Sequence, residues 1–331
     1  VAPALETIAW SLPLHTRFRG LLRRDGLLVR VTRGEGKVGW GEFSPFADYD
    51  EAAAAPWWAA AREAAAGDWP APLRDRIPVN VTVPAVGPDR ARQLVAASDG
   101  CLTAKVKVAE PGLDAAASLA ADVERVEAVR DALGPSGAIR VDANGGWDVD
   151  TAVRALTALD RAAATGGGAG LEYAEQPCAM VEELAILRRR THVLIAADES
   201  IRRAEDPLRV ARLGAADIAV LKVAPLGGVR ACLRIAEEIG LPIVVSSALE
   251  SSVGMAAGVA LAAALPELPY ACGLATVALF TADLARSSLL PVGGQLPVGA
   301  IEPDEKLLAA AVGAADPAAT DRLRGLAERL S

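Results

Sequence analysis

Lys107, Asp142, Glu175, Asp198 and Lys222 are the residues of this chain best suited to chemistry. They run lysine, acid, acid, acid, lysine, and each sits at or near the end of a short apolar run. Three carboxylates gathered in one place repel one another unless a cation sits among them. Oxygen-only ligation, with positions left for water and substrate oxygens, suits Mg²⁺ or Mn²⁺. Zn²⁺ is disfavoured, because His15 and His192 are the only histidines and neither closes an apolar run. A lysine on each side of such a metal points to proton transfer at a carbon beside a metal-bound carboxylate. Lys105 lies two residues before Lys107, so on a strand both ammonium groups project from one side. A neighbouring cation and burial each disfavour a lysine's charged form, which would move Lys107 towards general-base range.

Such residues need strands whose ends converge. From about Ile77, short β-branched runs alternate with Ala-rich helical stretches. The strand candidates are Val79–Val83, Ala104–Val108, Ile139–Asp142, Leu171–Glu175, Leu194–Asp198, Ile218–Val223, Ile243–Ser247 and Tyr270–Leu274. Helices such as Leu113–Leu133, Val149–Ala164 and Val229–Ile239 fall between them. Eight alternating units suggest a closed parallel barrel more than an open doubly wound sheet. The first strand also lacks a glycine-rich fingerprint at its end, where Thr82-Val83-Pro84-Ala85 stands. In such a barrel the C-terminal rim carries the chemistry. Asp142-Ala-Asn144, Glu175-Gln-Pro177 and Asp198-Glu-Ser200 close the third, fourth and fifth strands, while Lys107 and Lys222 lie on the second and sixth. Singly each signal is weak, because an acid at a strand end more often caps the next helix. The joint order carries the argument.

The first 76 residues read differently. Five of the six tryptophans lie there, at positions 10, 40, 57, 58 and 69. Leu27–Val31 and Val38–Phe43 read as strands around a Gly-containing turn, and Asp50 caps an Ala-rich helix from Glu51 to about Ala66, closed by Gly67. This is a small α+β unit. After Leu290 the chain turns Pro/Gly-rich, and a helix over about Thr320–Leu330 ends it. The net charge of −8 opposes phosphate-backbone binding, so nucleic acid is not an expected partner. The four cysteines are widely spaced and read as buried reduced thiols. Val253–Pro266 is apolar but short, a buried helix and not a membrane span. With no leader-like N-terminus, the expectation is a soluble cytoplasmic protein acting on a small-molecule carboxylate, its oligomeric state left open.

The order of the five residues resembles the enolase superfamily, in its muconate-lactonising branch, over nearly the whole chain. The resemblance implies an α/β fold: a (β/α)₇β modified TIM barrel over residues 77–295. It also implies an N-terminal α+β capping domain over residues 1–76, completed by a C-terminal segment of about 296–331. It further implies Asp142, Glu175 and Asp198 as ligands of Mg²⁺, or Mn²⁺, with Lys107 and Lys222 as the acid/base pair. Glu172 and Glu199 do not match ligand positions.

Arg140-Val-Asp142-Ala-Asn144, Glu175-Gln-Pro-Cys178, Ser246-Ser-Ala-Leu-Glu-Ser-Ser252 and Cys272-Gly-Leu-Ala-Thr276 are similar to a narrower group. These are the dehydratases of that branch, of the actinobacterial type, that form 2-succinylbenzoate for menaquinone. That similarity implies syn dehydration of 2-succinyl-6-hydroxy-2,4-cyclohexadiene-1-carboxylate, with Lys107 moving the proton and Lys222 staying charged. Lys105, Arg140 and Asn144 would support the site. For Arg140 two readings stand, a substrate or ligand-shell contact and an ion pair with a barrel acid; Asn144 supports either the ligand shell or the turn. Ser246 and Ser247 are candidate hydrogen-bond donors to substrate. Leu12–Gly20 and Phe43–Tyr49 match the loops that close the site, which brings Arg17, Arg19 and Phe46 into view. The rival readings are a racemase or epimerase acting on N-acylamino acids through the same lysines, and a Schiff-base barrel aldolase. Gly273-Leu-Ala275 lacks the acid pair of the dipeptide epimerases.

Overall fold

The computed structural model describes residues 5–18, 20–112, 114–203 and 206–331. Strands β1 (Leu5–Phe18), β2 (Leu21–Thr32) and β3 (Val38–Phe43) form an antiparallel sheet in sequence order. Residues 12–18, expected within a closing loop, belong to β1. There Leu12 and Leu14 are buried while Pro13 and His15 are exposed, the period of two that keeps a strand on its partner. The hairpin pairs regularly to Pro13↔Arg23, shifts register, and resumes at Phe18↔Leu21.

Helix α1 (Glu51–Ala66) covers this sheet. The Asp50 side chain accepts from the Ala53 amide, and Gly67 ends the helix in the left-handed region at φ 67°. An Ala-rich helix allows close approach. At Gly41 of β3 an added Cβ would lie 1.9 Å from the Ala61 carbonyl oxygen.

A short strand β4 (Arg76–Pro78) leads into the parallel sheet. Its members alternate with helices as β5 (Val81–Val83), α2 (Pro88–Ala96), β6 (Thr103–Lys107), α3 (Ala115–Leu133), β7 (Ala138–Asp142), α4 (Val149–Ala163) and β8 (Leu171–Glu175). The series continues through α5 (Val181–Arg188), β9 (Ile195–Ala197), α6 (Glu199–Arg202), α7 (Arg209–Arg212), β10 (Ile218–Leu221), α8 (Val229–Ile239), β11 (Ile243–Val245) and α9 (Ser252–Ala264). The strands lie in sequence order from β5 to β11, the order that right-handed βα units give.

Tyr270–Leu274, read as an eighth strand, forms only isolated bridges, Val79↔Cys272 and Ser246↔Gly273. Pro269 just before it has no N–H, and Gly273 packs no side chain, so regular pairing stops short. The bridges still close the ring. Cys272 N donates to Pro78 O at 2.8 Å on one side, and Gly273 N to Val245 O at 2.8 Å on the other.

β12 (Gln295–Pro297) pairs with β4. Then α10 (Glu305–Gly313) packs on β1, and α11 (Pro317–Leu330) packs on α1 and β2. The last helix begins three residues earlier than the sequence suggested, because Asp316 caps it and Pro317 fits its first turn. All four cysteines are buried and free. Among the described residues no helix is long and apolar enough to cross a membrane.

Candidate functional site

Parallel pairing aligns the rim. Lys107 of β6 lies opposite Asp142 of β7, and Asp142 opposite Glu175 of β8. Asp198 follows β9 and Lys222 follows β10. All five side chains are buried. The Asp142 Oδ2 accepts from Lys107 Nζ at 2.5 Å and lies 3.5 Å from Lys105 Nζ. Lys105 Nζ donates to both Glu175 oxygens, at 3.1 and 3.0 Å. Lys222 Nζ donates to Asp198 Oδ2 at 2.6 Å, and Arg202 Nε to Asp198 Oδ1 at 2.9 Å.

These pairs decide the charges. Burial alone would raise the Asp142 pKa, but Lys107 and Lys105 outweigh it and hold the carboxyl well below its usual range. The same contest at Asp198 goes the same way, with Lys222 and Arg202 prevailing over burial. Glu175 differs. Burial, reinforced by the charges of Asp142 and Asp198, outweighs Lys105 and pushes it up to about 7. For Lys105, burial opposes the ammonium, yet Glu175 and Asp142 win and raise its pKa. Lys105 thus directs its charge at the acids Asp142 and Glu175.

Asn144, at φ 46°, takes part through both ends of its side chain. Its Oδ1 accepts from Lys107 Nζ at 2.7 Å, and its Nδ2 donates to Glu199 Oε1 at 3.2 Å. Ser246 Oγ lies 3.5 Å from Lys105 Nζ, and Ser247 shares a 2.6 Å hydrogen bond with Thr276. Arg140 takes the second of its two readings. It lies two residues deeper than Asp142, fully buried, where it pairs with Glu172 and donates to Asn80 Oδ1 at 3.2 Å and Ala271 O at 2.6 Å. It braces the barrel floor and does not reach the rim.

Two further contributors were given no role of their own by the sequence. Gln176, at φ 39°, accepts from the amides of Asp198 and Ser200 and so ties the end of β9 to that of β8. Arg202 contacts Asp198 from one helical turn away.

Phe18 and Phe46 cover the site, which holds a cavity of about 20 Å³ lined also by Lys105, Lys107, Asp142 and Lys222. That is room for about one water. Beside it lies a cleft of about 1050 Å³ whose lining includes Arg17, Phe18, Lys107, Asn144, Trp147 and Arg154. Phe18 and Lys107 line both. Arg19 lies outside the described residues.

Among the described residues no three acidic, histidine or cysteine side chains are disposed as a metal-binding group, since each rim carboxylate is turned to an ammonium. The donor set nonetheless fits a hard divalent cation: three buried carboxylates on adjacent strands, with no nitrogen or sulfur ligand among them.

Known proteins share this architecture. Residues 89–305 match the enolase C-terminal domain-like family and residues 9–65 the enolase N-terminal domain-like family. The chain is 64% identical to an o-succinylbenzoate synthase of Thermobifida fusca over 91% of this chain and 90% of the relative. It is 55% identical to one of Mycolicibacterium smegmatis over 93% and 92% of the two chains. Among solved structures, muconate lactonizing enzyme from Pseudomonas fluorescens superposes with a TM-score of 0.77 at 23% identity, covering 93% of this chain and 98% of that one. The L-Ala-D/L-Glu epimerase from Bacillus subtilis gives 0.75 at 22%, over 91% and 96%. At such identities the two structures speak to the fold alone.

Proposed function

This chain belongs to the o-succinylbenzoate synthases of the enolase superfamily, and on that premise we propose a Mg²⁺-dependent dehydration. The substrate is 2-succinyl-6-hydroxy-2,4-cyclohexadiene-1-carboxylate, the product 2-succinylbenzoate, and the metal-holding residues Asp142, Glu175 and Asp198. The single observation that carries the reading is the pairing of three rim carboxylates with three lysines at five neighbouring strand ends. A divalent cation and a dicarboxylate substrate carry equal and opposite charges, so their joint arrival leaves the net charge of the site unchanged.

When bound, Mg²⁺ would polarise the ring carboxylate and acidify the carbon beside it. Lys107, once released from Asp142, gives its extra proton to solvent, and as the neutral amine, still oriented by Asn144, takes the α-proton on Nζ. The C–H electron pair moves towards the carboxylate, then returns to expel the hydroxyl. The hydroxyl leaves as water with the proton that Lys107 carried. Because proton and hydroxyl depart from one face, one base suffices. Lys222, held by Asp198, stays protonated and offsets the negative charge building on the carboxylate. Ser246 and Ser247 offer hydroxyls to substrate oxygens, and Phe18 and Phe46 exclude water. Aromatisation supplies the driving force. A Schiff-base aldolase would need a lysine free of such pairing, and both candidates are held by aspartates. This reading puts the work in the cytoplasm, in menaquinone formation.

Absorbance change on aromatisation tests it. The protein should convert 2-succinyl-6-hydroxy-2,4-cyclohexadiene-1-carboxylate with Mg²⁺ and stop after EDTA; activity that survives complete chelation would contradict the metal's role.

A further inference from the structure

A chain of contacts that the mechanism does not use runs from the cap to Asp198. Tyr49 lies in the segment joining β3 to α1, three residues after Phe46, which covers the cavity. Its amide donates to the Phe46 carbonyl at 3.1 Å, and its ring stands edge-on to Trp57 at a centroid distance of 5.6 Å. The Tyr49 hydroxyl accepts from Arg202 Nη1 at 2.8 Å. The same guanidinium donates through Nε to Asp198 Oδ1 at 2.9 Å and through Nη2 to Glu199. The Arg202 side chain is only 2% exposed. Arg203 adds a second tie, lying over the Tyr49 ring at 5.0 Å and pairing with Asp48 at 2.8 Å.

We propose that Arg202 is a positioning residue that couples the seating of residues 46–49 to the orientation of Asp198. The proposal rests on the reading of Asp198 as a metal-holding residue. A guanidinium is a rigid planar fork, so its donors move together. If Tyr49 lifts, a buried donor loses its partner, which is costly, and the fork tilts to recover one. The tilt carries the Asp198 carboxylate with it. Closure of this cap segment and metal binding therefore favour each other, and by linkage the effect is reciprocal.

The test compares full-length wild type, Tyr49→Phe and Arg202→Lys. Mg²⁺ binding is measured by calorimetry, and amide hydrogen exchange of residues 43–50 with and without Mg²⁺. Tyr49→Phe removes one hydroxyl and keeps both the ring and the charge, and circular dichroism and thermal melts check that each variant is folded before binding is compared. In wild type, Mg²⁺ should slow exchange of the segment about five-fold or more. In Tyr49→Phe that slowing should vanish while Mg²⁺ still binds, about five-fold more weakly. Arg202→Lys, which keeps the charge without the fork, should lose it too. Equal slowing in all three proteins would overturn the coupling, as would Mg²⁺ binding to wild type without any slowing. Failure of wild type to bind Mg²⁺ would overturn the metal reading together with it.

Discussion

At the scale of single residues, burial and charge pull against each other, and the neighbours decide the outcome. Asp142 and Asp198 each face two cations and stay ionised. Glu42 of β3 shows the other result. It is buried against Glu250, with Ser44 Oγ donating at 2.8 Å and the Ser251 amide at 3.1 Å. Burial outweighs these donors and raises its pKa from 4.5 to about 7. A value raised in the folded state means that the folded protein holds a proton which the unfolded chain has released. Stability therefore falls as pH climbs from about 4.5 to about 7 and stays lower above that. The loss attributable to Glu42 is up to about 3 kcal/mol. Glu42→Gln should reduce this slope in thermal melts across the window, leaving the part due to Glu175 and Glu250, which burial also raises. A variant that melts with the wild-type pH slope would refute this account of the cap–barrel contact.

Among the elements, β3 and α1 show how the cap is made rigid. Gly41 faces the Ala61 carbonyl so closely that no side chain fits, and Gly39 meets the Ala65 carbonyl in the same way. Gly41→Ala should destabilise the protein by about 1–3 kcal/mol through overpacking. Because α1 carries Trp57 against Phe46 and Tyr49, the Michaelis constant should rise as well. Denaturant melts and steady-state kinetics check both effects.

Most elements were legible because each has a local cause. Asp50 and Gly67 bracket α1, and the acids stand out at the ends of apolar strands. The arrangement of the site was less so. Arg202 meets Tyr49 across 153 residues, a distance at which spacing says nothing. The placement of Arg140 turned on depth, since two residues along a strand separate the rim from the barrel interior by about 7 Å. The strand nature of residues 12–18 depends on a long partner, β2, and Tyr270–Leu274 on two neighbours that only the closed ring supplies.

As a whole, the molecule places a small closed cavity between cap and barrel, with a larger cleft just beyond Phe18. Under the proposed reaction the cap segments would part and reseal, and the carboxylates would exchange lysine partners for a metal. If they do, Mg²⁺ at a hundred times its dissociation constant should stabilise the fold by about 2.7 kcal/mol, and EDTA should reverse the gain in denaturant titrations. Unchanged midpoints would argue against a site preformed in the folded state.

The most direct test of the central claim follows aromatisation by absorbance for wild type and Lys107→Ala, both with saturating Mg²⁺. The account predicts rapid turnover by wild type and a loss of at least about 10²–10⁴-fold in the variant, with its fold and Mg²⁺ binding retained. An inactive wild type, or a Lys107→Ala variant that turns over unimpaired, would contradict it.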